Sequence, residues 1–264
     1  TFHTFGLNLL RLELKNTPLK NNFSILDADD CKRILMDLMH RDNLSGAESK
    51  ELIAKAMKMI SDWKNDLIPP EQAHTTCETA EDVQFAHLYQ LYERNLRAYN
   101  AVDFDDLIVM PTRLLQENAE VRDRWQNRIR YLLVDEYQDT NTIQERILKL
   151  LMGEAQNLCV VGDDDQGLYR FRGATIRNIL EFPKNFDEHK CKQIQLTTNY
   201  RSHPDIVNFF GQWMQRLEWG SGANRFRYDK NIRAREDEFP EVPSVIKVVA
   251  EGREDWYEEN YQFL

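Results

Sequence analysis

Two acidic residues, Asp135 and Glu136, follow directly after the apolar run at residues 131–134. Such a run is typical of a buried parallel strand, and open α/β sheets bind their ligands at the carboxyl ends of the strands. At that place Asp135 could hold Mg²⁺ bound to nucleotide phosphates, and Glu136 could accept a proton from an attacking water. An acidic pair after a strand can equally cap the next helix, so the pair alone leaves both interpretations open.

A second apolar run, residues 158–161, is followed by Gly162, three aspartates and Gln166. A glutamine at the end of a strand could contact a terminal phosphate and respond to its presence. The next stretch alternates aromatic rings with arginines: Tyr169, Arg170, Phe171 and Arg172. This alternation suits single-stranded nucleic acid, since bases stack on rings and phosphates pair with guanidinium groups. Two aromatic residues alone fit an apolar core equally well.

A third group, Tyr200 and Arg201, follows a predicted strand at residues 194–196 and precedes Pro204, which suits the first turn of a helix. An arginine at such a junction could bind a phosphate through two donors, and a tyrosine could stack on a base. An ordinary surface loop has the same composition.

The elements that must position these groups follow from the hydrophobic pattern. Residues 7 to about 100 are helical in period, and their aromatic and methionine residues fit helix packing. From about residue 101, short apolar runs alternate with helical stretches, which predicts a parallel sheet covered by helices. The predicted helices are 27–40, 51–63, 81–99, 142–152 and 204–217, and the predicted strands are 131–134, 158–161, 194–196 and 245–249.

The chain has 264 residues, enough for two compact units, and a formal net charge of −10. Residues 190–235 nevertheless carry nine basic side chains against three acidic ones, and residues 236–264 carry nine acidic against two basic. No stretch approaches the roughly 20 apolar residues that cross a bilayer, so no membrane association is expected. Four widely spaced cysteines form no metal pattern and fit a reduced, cytoplasmic protein.

Taken together and in this order, the motifs resemble those of a known family. DEYQDT (135–140), GDDDQGLYRFRGA (162–174) and NYRS (199–202) resemble motifs II, III and IV of the superfamily 1 DNA helicases of the UvrD/PcrA/Rep family. TFHTFG (1–6) resembles their motif Ib, and DFDDLI (103–108) the acidic motif before the Walker B strand. The likeness covers roughly residues 1–210 and is closest to the Rep members.

The resemblance implies an α/β fold, a RecA-like P-loop NTPase parallel sheet that is incomplete here, with a helical insertion domain. Residues 1–6 would end the first part of domain 1A, and residues 7–100 would form the helical 1B insertion. Residues 101–185 would be the second part of 1A, and residues 186–264 the first part of domain 2A. Such helicases hydrolyse ATP with Mg²⁺ between two RecA-like domains and move 3′ to 5′ along single-stranded DNA.

The nucleotide-binding roles follow from the same resemblance. Asp135 corresponds to the carboxylate that coordinates Mg²⁺, and Glu136 to the general base. Gln166 corresponds to the sensor that links the γ-phosphate to DNA. Tyr200 corresponds to the residue that stacks on adenine, and Arg201 to the arginine that reaches the γ-phosphate.

The DNA-binding roles are implied in the same way. Thr1 and His3 correspond to residues that contact the DNA backbone. Phe171 corresponds to an aromatic residue that stacks on bases, with Tyr169 beside it, and Arg172 corresponds to an arginine that is either structural or near the DNA. The expected partners are single-stranded DNA and junctions between single and double strands, in replication or repair.

The sequence departs from the family pattern at several places. None of the ten glycines precedes a lysine, so the phosphate-binding Gly-x-x-x-x-Gly-Lys motif does not occur, and motifs V and VI are also missing. Gly167 and Arg170 replace residues that are usual in motif III. We therefore expect an internal fragment that has no ATPase activity by itself.

Two other functions remain open at this point. One is a naturally truncated, non-catalytic DNA-binding or regulatory module on a helicase scaffold. The other is a metal-dependent nuclease built on clustered carboxylates, namely Asp135, Glu136, Asp139 and Asp163–Asp165.

Overall fold

The computed structural model describes residues 1–42, 49–167, 177–186, 191–217, 227–235 and 245. The chain divides into two compact units, Thr1–Glu181 and Phe182–Leu264. Helices predominate and the strands form short parallel pairs, which confirms the predicted α/β class. Among the described residues, no helix combines the length and the apolar character that crossing a membrane requires.

The first unit contains nine of the helices and four of the strands described. In chain order they are α1 (Phe2–Leu12), β1 (Ser24–Ile25), α2 (Ala28–Arg41), α3 (Lys50–Asn65), α4 (Pro70–Ala73), α5 (Ala80–Tyr99), β2 (Ala101–Val102), α6 (Asp106–Glu117), α7 (Ala119–Arg128), β3 (Leu132–Val134), α8 (Thr142–Met152), β4 (Leu158–Val160) and α9 (Arg177–Glu181). Short 3-10 helices lie at Leu14–Asn16, His74–Thr76, Tyr137–Asp139 and Asp164–Gln166.

The helices predicted from periodicity are confirmed to within two residues at each end. Their starts are fixed locally, because Asp27, Ser49 and Thr79 each accept a backbone N–H with the side chain at the head of α2, α3 and α5. At α5 the cap is reciprocal, since Asp82 in turn accepts the backbone N–H of Thr79. Helix α8 begins with the same arrangement around Asn141.

The helices α2 to α5 enclose one apolar core. Its largest fully buried side chains belong to Leu35, Met39, Ile53, Leu88 and Tyr89. The rings of Trp63 and Tyr89 stack at 5.8 Å. The aromatic and methionine residues of this stretch therefore serve helix packing, as the sequence predicts.

A second core lies between α1, α6, α7 and α8, where Leu9, Leu115 and Ile147 are buried. Helix α1 runs without a break across residues 6 and 7 and packs against α6. Gly6 makes this approach possible, because a Cβ atom there would lie 1.7 Å from the backbone oxygen of Leu107. The expected division into domain parts stays a prediction.

Backbone hydrogen bonds join the segment just before α2 to the segment just after α5. Strand β1 pairs in parallel with β2, with Ser24 opposite Ala101 and Ile25 opposite Val102. Both strands have only two residues, which is too short for an alternating pattern, so the hydrophobic pattern does not predict them.

The predicted strands at 131–134 and 158–161 are confirmed as β3 and β4. They pair in parallel, with Leu132 opposite Leu158 and Val134 opposite Val160. On this pair the side chains of Tyr131 and Leu133 are 73% and 78% exposed, so a large apolar surface stays open to solvent in the described part of the chain.

The described part of the second unit contains a 3-10 helix at Phe182–Asn185, strand β5 (Thr198–Asn199), helix α10 (Pro204–Arg216) and strand β6 (Arg233–Ala234). Strands β5 and β6 pair in parallel. The predicted helix at 204–217 is confirmed. The predicted strand at 245–249 lies, except for residue 245, outside the described residues.

The predicted strand at 194–196 is wrong. Ile194 and Leu196 are 71% and 77% exposed, and the strand forms four residues later. Arg233 and Arg235 donate backbone hydrogen bonds to Thr197 and Asn199, so among the described residues of this segment the extended chain is stabilised at Thr198–Asn199.

Candidate catalytic site

The carboxyl ends of β3 and β4 bring two polar loops to the same edge of the first unit. The backbone N–H of Val161 donates to the carbonyl of Val134 (2.8 Å), and that of Tyr137 donates to the carbonyl of Val161 (2.9 Å). The parallel pairing therefore continues past the strand ends. It joins the loop that starts at Asp135 to the loop that starts at Gly162.

Asp135 and Glu136 are both exposed at the end of β3. One oxygen of Asp135, Oδ1, accepts the backbone N–H of Glu136 at 3.0 Å. Glu136 has left-handed backbone angles, φ 52° and ψ 43°. This conformation is unfavourable for a residue with a Cβ atom, and such residues concentrate at functional sites.

Gln138 connects the two loops, a role that the sequence motifs do not indicate. Its side chain is 1% exposed. Nε2 donates to Glu136 Oε2 at 2.6 Å, while Oε1 accepts the backbone N–H of Asp163 at 3.0 Å. Gln138 stands inside the DEYQDT motif, but no periodicity shows which polar side chain of a 3-10 turn points inward.

Gly162 leaves the space that Gln138 occupies. A Cβ atom at Gly162 would lie 2.6 Å from Gln138 Oε1 and 2.8 Å from Ile179 Cδ1. The backbone of the β4 loop thus packs directly on the buried amide, and glycine is required for close approach rather than for a turn.

The inner side of the β3 loop is held from within the same unit. Thr140 donates from Oγ1 to the carbonyl of Tyr137 (2.7 Å), and Asn178 of α9 donates to the carbonyl of Thr140 (3.1 Å). Asp139 keeps a buried Oδ1 without a hydrogen bond. Burial, and then the charge of Glu136, raise the pKa of Asp139 above its ordinary value.

The β4 loop presents Gln166 and three carboxylates. Gln166 is exposed and donates from Nε2 to Asp163 Oδ2 at 2.8 Å. One carboxylate oxygen from each of Asp163, Asp164 and Asp165 lies within 4.8 Å of the others. Carboxylate oxygens are the ligands that Mg²⁺ prefers, so Asp135 and this group are both of suitable chemistry.

The third predicted group lies where the sequence predicts it, between a strand and a helix. Asn199, the last residue of β5, accepts the backbone N–H groups of Arg201 and Ser202 with its Oδ1, each at 2.9 Å. This turn leaves Tyr200 71% exposed and Arg201 exposed as well. Both side chains are accessible for a ligand of the second unit.

Of the residues expected to bind DNA, the structure describes two. Thr1 caps α1, and its Oγ1 accepts the backbone N–H of Thr4 at 3.2 Å. His3 packs edge-on against Phe104, with ring centroids 6.0 Å apart. Burial lowers the pKa of His3, against the opposing effect of Asp105. Tyr169, Phe171 and Arg172 lie outside the described residues.

The comparisons with known proteins identify a family. Residues 1–187 match the family described as the UvrD/REP helicase N-terminal domain. The chain belongs to this family. It is 48% identical over 207 residues to the ATP-dependent DNA helicase Rep of Escherichia coli (strain K12), a match that covers 78% of this chain and 30% of that protein.

Two further relatives extend the comparison. The ATP-dependent DNA helicase Rep of Salmonella typhimurium is 46% identical, again over 78% of this chain and 30% of its own length. The ATP-dependent DNA helicase PcrA of Staphylococcus epidermidis is 34% identical over 96% of this chain and 35% of its own length. The chain thus spans about a third of the length of these relatives.

Proposed function

We propose that this chain is part of an ATP-dependent DNA helicase that translocates 3′ to 5′ on single-stranded DNA. The proposal also assigns it a RecA-like sheet and the domain parts 1A, 1B and 2A. It is supported by membership of the UvrD/REP family and by relatives that are named ATP-dependent DNA helicases.

One observation supports this function most strongly. Strands β3 and β4 end side by side, and Tyr137 N–H binds the carbonyl of Val161, so the acidic loop and the Gln166 loop share one edge. Ligands of open α/β sheets bind at this edge. A phosphate chain could therefore meet carboxylates and an amide at once.

The roles in ATP hydrolysis follow from the chemistry of these side chains. Asp135 would hold Mg²⁺, which would neutralise phosphate charge when bound with ATP. Glu136 orients the attacking water and accepts its proton. Gln166 contacts the terminal phosphate, and its hydrogen bond to Asp163 holds it at the loop surface.

The second unit contributes two further contacts. Tyr200 stacks on adenine, and Arg201 binds the terminal phosphate and stabilises the charge that develops as the phosphoryl group leaves. The turn held by Asn199 leaves both side chains exposed to solvent.

The DNA strand is bound without reading its sequence. Thr1 and His3 contact the backbone, Tyr169 and Phe171 stack on bases, and Arg172 pairs with phosphate. Stacking and phosphate contacts tolerate any base. The Phe171→Ala variant should therefore weaken binding of single-stranded DNA more than binding of ATP.

The 264 residues by themselves are proposed to be inactive, because their sequence contains no phosphate-binding Gly-x-x-x-x-Gly-Lys stretch. The protein encoded by the complete gene is thus the form to test. ATP hydrolysis with and without single-stranded DNA, and unwinding of a duplex with a 3′ tail, are the decisive measurements.

The mechanistic part is tested with Glu136→Gln in that full-length protein. Turnover should fall by at least about a hundredfold while ATP binding is retained, because a general base contributes about 10² to 10⁴ in rate. Glu154→Gln removes an equally exposed carboxylate outside both loops and should leave turnover unchanged. Normal turnover in Glu136→Gln would overturn the assignment of the base.

The other two functions give different results in the same assays. A DNA-binding module without catalysis would bind single-stranded DNA but hydrolyse no ATP. A nuclease would cut labelled DNA with Mg²⁺ or Mn²⁺ in the absence of ATP.

A further inference from the structure

We propose that Gln138 is a positioning residue for ATP hydrolysis. Its buried amide aims the carboxylate of Glu136 and ties that carboxylate to the backbone of the Asp163–Gln166 loop. This inference rests on the proposed function, since it assigns Gln138 a task only if Glu136 acts as the base.

The geometry makes Gln138 a two-sided bridge. The same amide donates to Glu136 Oε2 and accepts from Asp163 N, so one side chain contacts both loops. At 1% exposure the side chain has little freedom to rotate, and Gly162 packs on it from the β4 loop. The position of one loop is thereby transmitted to the carboxylate of the other.

Glu136 benefits from such support, because among the described residues the Gln138 amide is the side chain that donates a hydrogen bond to its carboxylate. The residue is exposed, and an exposed glutamate samples several rotamers. One hydrogen bond from a buried donor to Oε2 restricts these rotamers and engages only one of the two carboxylate oxygens. A base held in one orientation loses less entropy when water binds, and a displacement of about 1 Å can cost on the order of a hundredfold in rate.

The Gln138 bridge also suggests how a movement of the β4 loop could change the rate of ATP hydrolysis. Residues 163–166 lead directly into Tyr169, Phe171 and Arg172, the proposed DNA contacts. A shift of this loop when DNA binds would move Asp163 N, then the Gln138 amide, and then the Glu136 carboxylate. Loss of the bridge should therefore reduce the stimulation of ATP hydrolysis by DNA.

The test uses Gln138→Met in the full-length protein, because methionine keeps the size of the side chain and removes both hydrogen bonds. We expect kcat to fall by about tenfold to about a hundredfold while the KM for ATP changes by less than about threefold. Stimulation by single-stranded DNA should fall in parallel.

A matched control is Gln126→Met. Gln126 also donates a hydrogen bond from a part-buried amide, to the carbonyl of Leu150 at 2.7 Å, but it does not touch either loop. It should lower the melting temperature by a similar amount without lowering kcat. A kcat for Gln138→Met within about threefold of wild type would overturn the positioning role.

A double-mutant cycle tests whether Gln138 acts through Glu136. In the Glu136→Gln background, adding Gln138→Met should change the residual single-turnover rate by less than about threefold, because the group that it positions is already lost. An equal further loss in both backgrounds would show an independent effect and contradict the inference. If Gln138→Met does not fold, Gln138→Glu replaces it. This variant keeps the acceptor for Asp163 N and removes the donor to Glu136, and the same changes in kcat and in the KM for ATP are expected.

The two proposals fail differently. A wild-type protein without DNA-stimulated turnover would count against the helicase function itself. Turnover that is lost in Glu136→Gln but kept in Gln138→Met would leave the helicase function in place and remove only the role of Gln138.

Discussion

Lys64, near the end of α3, forms a buried ion pair with Asp103, and the distance from Nζ to Asp103 Oδ2 is 2.7 Å. The same ammonium group lies 2.9 Å from Asp106 Oδ1 and 2.8 Å from Glu93 Oε1. Lys64 is 1% exposed. One positive charge therefore holds three carboxylates together where the α2–α5 block meets the start of α6.

Removing this charge should destabilise the first unit strongly. Burial disfavours a charged lysine, but Asp106, Asp103 and Glu93 outweigh it, so the pKa of Lys64 is raised well above its ordinary value. Lys64→Met would leave buried carboxylates uncompensated, at a cost of about 3–5 kcal/mol in the free energy of unfolding. Denaturant titration of the full-length protein measures this cost.

The control for that experiment is Lys58→Met. Lys58 also pairs with an acid, Asp62, but its side chain is 72% exposed. Its loss should cost less than about 1 kcal/mol. If both substitutions lower the free energy of unfolding equally, burial does not make the Lys64 ion pairs more stabilising than the exposed pair.

The same cluster should make stability depend on pH through Asp106. Burial, followed by the charges of Asp103 and Glu93 and opposed by Lys64, raises the pKa of Asp106 to about 7. The folded protein then keeps a proton between about pH 4 and about pH 7 that the unfolded chain has released. The free energy of unfolding should therefore fall as pH rises through this window.

The Asp106→Asn variant carries no such proton. Relative to it, the wild type should lose stability with rising pH, by up to about 1.4 kcal/mol per pH unit. Asp103 does not disturb the window, because Lys64 lowers its pKa, against the effect of burial, below the ordinary value. If the free energy of unfolding of both proteins changes with pH in the same way between about pH 5 and about pH 7, Asp106 does not keep this proton.

The contact between α1 and α6 should tolerate no side chain at Gly6. A Cβ atom 1.7 Å from the carbonyl of Leu107 forces the helices apart, and overpacking of this kind costs about 1–3 kcal/mol or more. Gly211→Ala is the control, since nothing lies within 4 Å of a Cβ atom there. In the interior of α10 that change should stabilise by about 0.5–1 kcal/mol. Thermal unfolding of both variants measures the contrast.

Gly162→Ala tests the Gln138 bridge without changing Gln138 itself. The added methyl group would lie 2.6 Å from Gln138 Oε1 and must displace the amide. We expect kcat for ATP to fall by about tenfold with little change in KM, as for a misplaced base. Steady-state kinetics of the full-length protein decide this, with Gly211→Ala again as control. A wild-type kcat would show that the loop adjusts without moving Glu136.

The sequence was sufficient to place five of the ten described α-helices and two of the six described strands. Periodicity placed α2, α3, α5, α8 and α10, because apolar residues recur along one face of each helix and a side chain caps its start. The runs at 131–134 and 158–161 became β3 and β4, and their parallel pairing followed from the helix between them. The motif spacing also sufficed to indicate the family before any comparison.

Only the tertiary structure decided how polar side chains pair over long distances. Ile194 and Leu196 have the composition of a strand, yet the strand forms at Thr198–Asn199, where residues 233–235 offer backbone partners. In the same way, Lys64 finds acids 39 and 42 residues away, and Gln138 finds Asp163 25 residues away. Local pattern fixes which face of an element is buried, whereas hydrogen-bond and ion-pair partners depend on which elements meet, and that is set by the packing of the whole unit.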